Sequence, residues 1–388
     1  MSVTSGRSRA LLALRLSTTA MLFANGIGIG SWAAAIPRLK SMLALSSAQL
    51  SLVLLAMALG ATLIMPLAGM LIPRLGGSGL ALRRGAILFG LTFCLPGFAP
   101  SLPILVTFAF LLGAFNGVME ISMNAHATSV ERQWGVAIMS SFHGAWSCGG
   151  LLGATLGGTL IDSGMAVSWQ LVVSGVLIVA VTSAAAPLIG TGEVAQERKA
   201  AFAWPERKLI GLCAIALLSM LMEGAIADWS AVYLNAVSGL TVAMAASGYA
   251  LFALAMLLGR FSGDHVVRRI GRGQVILLGA VVAGAGIVLT TALPSPVTAI
   301  AGFCLIGLGL SNMVPAIFSA AAAMSASPAL GISMAATVGY AGFLLGPPLI
   351  GAVSSFTGMR GGFVVLIGAM AIIVIIAAAT RVRSGTPR

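Results

Sequence analysis

The sequence predicts an all-α integral membrane protein of twelve transmembrane helices, arranged as two pseudo-symmetric six-helix bundles. Three observations predict it. The 388 residues are 59% hydrophobic and only 8% charged, with a mean hydropathy of +1.06, whereas a soluble domain carries about 25% charged residues to cover its surface. The apolar residues fall in twelve runs long enough to cross a bilayer. The two halves of the chain also repeat one another. Together these exclude a cytosolic enzyme, a secreted domain and a disordered chain.

An apolar helix crosses the hydrocarbon core in about 20 residues, and lipid leaves no backbone group unpaired. Runs bounded by charges or by Pro and Gly breaks cover 11–36, 48–72, 82–99, 103–126, 138–161, 169–189, 209–236, 243–263, 274–293, 297–322, 332–355 and 362–380. The third and ninth are the least sharply bounded, because the loops after them are very short. No segments of about ten residues alternate apolar and polar, as barrel strands would. Cys94, Cys148, Cys213 and Cys304 lie inside spans without metal-ligand spacing. They read as small buried residues rather than as a disulfide framework or a zinc site, and no metal or cofactor is expected.

An even number of spans puts both termini on one side of the bilayer. Of the 21 Lys and Arg, all but Arg38, Lys40 and Arg360 fall on that side. Short loops rich in Lys and Arg stay in the cytoplasm, so a multi-pass protein of the bacterial inner membrane with cytoplasmic termini is expected. The net charge of +12 is then a topology signal, and no nucleic-acid partner is expected. Arg7, Arg9 and Arg15 ahead of an apolar run and Ala33–Ala35 imitate a signal peptide. That run exceeds the h-region length of about 7–15 residues and more spans follow, so the first helix is expected to remain uncleaved.

The segment 190–208 is the one long polar stretch away from the termini, and it divides a bundle of 1–189 from a bundle of 209–388. Ser140, Gly144, Gly149, Leu151, Leu152, Gly153 and Gly158 sit 193 residues before Ser333, Thr337, Gly342, Leu344, Leu345, Gly346 and Gly351. Asn25–Gly26 answers Glu223–Gly224, Trp32 answers Trp229 after a one-residue gap, and Gly113 answers Gly307. Parallel repeats about an axis along the membrane normal are the plan of one large transporter class.

With these residues in view, the chain resembles the major facilitator superfamily along its whole length. Gly69-Met-Leu-Ile-Pro73-Arg74-Leu-Gly76 resembles that family's G-x-x-x-D-R-x-G loop, with Pro73 in the Asp position. Gly259-Arg260-Phe-Ser-Gly263-Asp264, then Arg268, Arg269 and Gly271, is the second-half copy. The resemblance implies a cytoplasmic charge latch, here Arg74, Arg260, Asp264 and Arg268, which Pro73 weakens in the first half. Glu120-Ile-Ser-Met-Asn124 and Pro315-Ala-Ile-Phe-Ser319 resemble fucose-permease-like sugar transporters. The overall phrasing is nearest the membrane proteins typified by the one encoded in rhizopine loci. Gly149-x-x-x-Gly153-Ala154-Thr-Leu-Gly157-Gly158 resembles the fifth-helix glycine motif of superfamily antiporters, with Ala154 for its proline.

Three acids lie well inside spans: Glu120, Glu223 and Asp228. A charge at mid-bilayer costs roughly 3 kcal/mol, so such residues face a cavity or a partner. Asn116, Glu120 and Asn124 recur every four residues and share one helix face. Glu120 matches by resemblance a glutamate that carries the coupling proton, and low dielectric favours the neutral form of any carboxyl; the alternative is a structural hydrogen bond. His143, at similar depth, either exchanges a proton with Glu120 or donates a hydrogen bond to it. Glu223 and Asp228 are five residues apart, about 140° on a helical wheel, and so do not share a face. Glu223 is the better cavity candidate, and Asp228 is either cavity-lining or interfacial. Asn25, Trp32, Trp146, Ser311, Asn312 and Tyr340 complete a possible lining, which suits a sugar or polyol. Trp169 and Tyr233 read as interfacial anchors, and His126 and His265 as solvated helix ends. No inward Lys or Arg is evident at mid-membrane, which disfavours a strongly anionic solute.

The expected protein is not an enzyme: no nucleophile–base pair, metal cluster or Walker-type phosphate loop is present. It is a monomeric secondary transporter in the lipid bilayer, coupling a sugar- or polyol-like solute to protons by alternating access. A proton-driven exporter of drugs or metabolites and an uncoupled facilitator are the alternatives.

Overall fold

A computed structural model describes residues 2–72, 76–135, 138–190, 207–293, 295–325 and 328–379. Thirteen α-helices follow in chain order: α1 Ser2–Met42, α2 Ser47–Leu71, α3 Ser78–Phe93, α4 Leu102–Trp134, α5 Met139–Asp162, α6 Val167–Ala185, α7 Ile210–Ala236, α8 Val242–Ala245, α9 Ser247–Ile270, α10 Arg272–Ala292, α11 Pro296–Leu310, α12 Met313–Met324 and α13 Pro328–Ala379. No strand occurs among the described residues. Nine described stretches are long and apolar enough to cross a membrane. One of these holds two passes, because Gly358, at φ 76° and ψ 170°, breaks α13. That conformation is open to glycine and strained for other residues. α5 and α9, richer in glycine and polar side chains, supply the remaining passes.

The tenth pass departs from the uninterrupted run 297–322: it is split into α11 and α12 at Ser311 and Asn312. Pro315 supplies the cause. Its ring collides with the carbonyl four residues back, which belongs to Ser311, and it has no N–H to continue the ladder.

The chain divides into two compact units, 1–45 with 56–196, and 46–55 with 197–388. The opening turns of α2 group with the second unit. In the first unit α1 packs on α5 and α6, and α3 on α4 and α6. In the second, α7 packs on α13, α9 on α11, and α10 on α11 and α13.

Lipid removes the hydrophobic drive between helices, so close contact through small residues has to hold them. Methyl groups added at Gly149 and Gly153 of α5 would run into the backbone carbonyls of Phe23 and Ile27 in α1. Reciprocally, Gly26 and Gly30 press on the carbonyls of Trp146 and Gly150. The repeat does the same work elsewhere. Gly342 meets the Leu217 carbonyl, while Gly113 on Met57 is matched by Gly307 on Phe252. The sequence self-similarity is thus a repeated packing device.

Several residues read as exposed are enclosed. Tyr233 is fully buried, donates to the Thr290 carbonyl at 2.8 Å and lies 4.4 Å from the Phe363 ring, so it is a core residue and not an interfacial anchor. His126 is also buried, with its Nδ1 3.3 Å from the Ser78 hydroxyl, because α3 covers that turn of α4. His265 and Trp169 are exposed, the latter edge-on to Phe98. Among the cysteines only Cys213 is buried, and Cys148 is exposed. Arg83 of α3 donates to the carbonyls of Ala186 and Ile189, satisfying orphan acceptors past the end of α6.

Candidate functional site

In the first unit, α1, α4 and α5 bring three polar side chains together. Asn25 Nδ2 donates to Asn116 Oδ1 at 2.9 Å and also reaches Met119 Sδ at 3.5 Å. Trp146 Nε1 donates to Asn25 Oδ1 at 2.8 Å. Asn25 and Asn116 are 2% and 7% exposed. Both amides were expected to line a cavity; the geometry directs them at each other. Intramembrane amides satisfy themselves between helices in this way because nothing else is there to bond.

Glu120 lies one turn beyond Asn116 on α4 and is partly enclosed. Asn124 Nδ2 turns back to the Glu120 backbone carbonyl at 2.9 Å, so its amide is committed within α4. No ion pair to Glu120 occurs among the described residues. His143 on α5 is likewise partly enclosed, and its backbone carbonyl accepts from the Ser147 hydroxyl at 3.1 Å. Trp32 is 3% exposed and its indole nitrogen has no hydrogen-bond partner. Its repeat mate Trp229 is buried in the same condition.

The second unit holds the arrangement that sequence reasoning missed. Arg260 Nη2 of α9 stands 3.9 Å from Glu223 Oε1 of α7, with side chains 24% and 17% exposed. Arg260 was grouped with a loop latch; it lies inside α9, and its partner is at the middle of α7. A cation is therefore available at mid-span, contrary to expectation. Glycine spacing was the overlooked signal. Gly259 and Gly263 share one face of α9, and that face seats against the break in the tenth pass. A methyl at Gly263 would strike the Asn312 side chain and one at Gly259 the Ser311 hydroxyl. Asn312 Nδ2 donates to the Gly259 carbonyl at 2.9 Å and to Ser311 Oγ at 3.0 Å. Arg260, one residue on and so about 100° around the helix, is turned toward α7.

Tyr249 of α9 is buried and lies within electrostatic reach of Glu223, Asp228 and Arg260. Tyr340 is 39% exposed and stacks obliquely near Phe343, with centroids 6.1 Å apart. Arg268 is exposed near the end of α9. Arg74 lies outside the described residues, and of Asp264 only the backbone, within α9, is described.

Comparison with known proteins gives the same architecture a family. The model of the Major Facilitator Superfamily matches residues 18–332. An uncharacterized MFS-type transporter of Yersinia pestis is 34% identical over 94% of this chain and 94% of its own. The membrane protein MosC of Rhizobium meliloti is 35% identical over 96% of this chain and 92% of its own. Among solved structures, a mutant of the nucleoside transporter NupG superposes with a TM-score of 0.76 at 14% identity, covering 95% of this chain and 99% of that one. The MFS transporter FucP in its outward conformation gives 0.62 at 17% identity, covering 94% and 98%. At such identities the two structures speak to the fold, while the family match and the two relatives speak to descent. The chain belongs to the major facilitator superfamily and is a multi-pass membrane transporter of small molecules.

Proposed function

We propose that the protein is a proton-coupled secondary transporter of a small polar, sugar- or polyol-like solute. It works as a monomer in the bacterial inner membrane, with both termini in the cytoplasm, and cycles by alternating access. The observation that carries the coupling is the contrast between its intramembrane acids. Glu223 has Arg260 for a counter-ion, whereas Glu120 has no cation opposite it among the described residues. An uncompensated carboxylate is costly at membrane depth, and taking up a proton removes that cost. Glu120 is therefore the group whose loading and discharge biases the two access states, with His143 as its proton-exchange neighbour. The polar side chains of the second unit, including Asn312, Tyr340 and the Glu223–Arg260 pair, supply solute recognition. Arg74, Asp264 and Arg268 remain as the cytoplasmic latch.

A thermal-shift screen of the purified protein against hexoses, hexitols and cationic dyes identifies a bound solute. In proteoliposomes, an imposed proton gradient then drives its accumulation. Glu120→Gln is expected to abolish accumulation while leaving solute counterflow, which needs no net proton movement. Accumulation that survives Glu120→Gln, or that ignores collapse of the gradient, overturns the coupling.

A further inference from the structure

The seam between α7 and α9 holds more charge than transport of a neutral polyol requires. Glu223 and Arg260 meet at 3.9 Å, and Asp228 stands five residues along α7. Tyr249 and Arg260 are eleven residues apart, three helical turns, and so occupy one face of α9. The remaining elements packed on α7 bring no other charge here. α11 and α12 carry no charged residue, and the one on α13, Arg360, donates to the Thr291 and Ala292 carbonyls. The other titratable groups on these elements are the thiols Cys213 and Cys304 and the phenols Tyr233 and Tyr340 on α7, α11 and α13, with Asp264, His265, Arg268 and Arg269 on α9 past Arg260. Holding an ion pair out of water costs several kcal/mol per ion before its attraction is counted. An apolar seam would hold the helices at lower cost. The pair is also accessible, with each side chain about one-fifth exposed, so a third partner can reach it.

We infer that this seam is a subsite for an acidic group on the transported solute: Arg260 receives the carboxylate of a polyhydroxy acid, and Glu223 is the resident counter-ion it displaces. The inference rests on the reading of the chain as a carrier of a polyol-like solute and names the acid that such a solute carries. The exchange balances simply. The contact between Glu223 and Arg260 is broken, one between the solute carboxylate and Arg260 is made, and a proton from solvent closes an O–H bond on Glu223. Without that proton the solute carboxylate and Glu223 would face one guanidinium, and carboxylates that share a site do not all ionise. One proton therefore enters with each acidic solute, and the loaded site carries the same net charge as the empty one. A phosphate ester, with its second charge, would leave the single guanidinium overmatched. A monocarboxylate fits the charge count.

The test uses three probes that differ only at one carbon: D-gluconate, its neutral counterpart D-glucitol, and the amine 1-amino-1-deoxy-D-glucitol. Each is titrated into the full-length protein in detergent, followed by tryptophan fluorescence. Gluconate is expected to bind at least about tenfold more tightly than the other two, and about tenfold more tightly for each unit fall in pH above neutrality, since one proton accompanies it. Arg260→Gln removes the preference, so that gluconate binds no more tightly than glucitol. Glu223→Gln imitates the protonated acid, so gluconate binds it at least as tightly as the parent and without the pH dependence. The double variant Glu223→Gln/Arg260→Gln keeps the fold free of an unpaired charge and shows no acid preference. A merely structural pair would instead weaken all three probes alike in both single variants. Equal or weaker binding of gluconate, no binding of any probe, or a preference that survives Arg260→Gln overturns the inference. Proton-driven accumulation of a neutral hexitol that depends on Glu120 alongside such a result would leave the transport reading standing and remove only the acid subsite.

Discussion

Valine in place of Gly149 or Gly153 is expected to leave little folded protein, at least about tenfold less monodisperse material after detergent extraction than the parent. The cause is that the obstacle is backbone. A flexible side chain can swing away from an intruding methyl, and overpacking then costs about 1–3 kcal/mol. At these two glycines the obstacles are the Phe23 and Ile27 carbonyls, which move only if α1 moves. Shifting α1 would also open the reciprocal contacts of Gly26 and Gly30 with α5. A loss of about 3 kcal/mol corresponds to roughly a hundredfold change in the folding equilibrium. The repeat makes the prediction graded. Gly342→Val meets the Leu217 carbonyl and should be as harmful, whereas at Gly346 the nearest obstacle is 3.4 Å away and at Gly368 nothing lies within 4 Å. Size-exclusion profiles of the five variants provide the measurement. Equal losses at Gly346 and Gly153 would show that these glycines act through something other than helix approach.

The same contrast explains what could be read from the chain. Twelve passes were legible because lipid demands long apolar runs with internally paired backbones, a constraint written in composition alone. The repeat was legible because close helix approach requires small residues at matching positions, and Gly113 with Gly307, or Gly149 with Gly342, serve matching carbonyls. Side-chain direction was not legible. A polar residue in an apolar span announces that it needs a partner, but not whether the partner is solute or another helix. Asn25 and Asn116 were thus read as solute-facing although they bond each other. Arg260, inside the run 243–263, was grouped with the cytoplasmic latch because of the motif that holds it. Only the seating of Gly259 and Gly263 against Ser311 and Asn312 shows which way α9 is turned. The interruption of the tenth pass did leave a trace, Pro315, whose effect falls on Ser311 rather than on its own position.

Asn25→Leu is expected to destabilise the first unit by about 2–4 kcal/mol while leaving solute affinity within about twofold of the parent. Leucine keeps asparagine's branching and number of heavy atoms, though it is bulkier, so the larger part of the cost is polar. The substitution strips the Asn116 carbonyl oxygen of its donor at 2.9 Å and the Trp146 indole of its acceptor at 2.8 Å. Each orphaned buried group costs about 1–3 kcal/mol, whereas replacing both partners with apolar groups can be nearly neutral. Asn25→Leu combined with Asn116→Leu should therefore recover part of the loss, and adding Trp146→Phe should recover most of it. That non-additivity is the signature of a network, with coupling energies of about 0.5–3 kcal/mol between members. Thermal unfolding in detergent across the single, double and triple variants measures it. Asn25→Asp refines the reading, because it keeps an acceptor for Trp146 but turns a lone pair on the Asn116 oxygen and should fall between parent and leucine variant. If Asn25→Leu instead unfolds at the parental temperature and loses solute binding by tenfold or more, the amide faces the transported molecule. The three-helix cluster would then be a recognition site, and the polar work of the first unit would not end at Glu120.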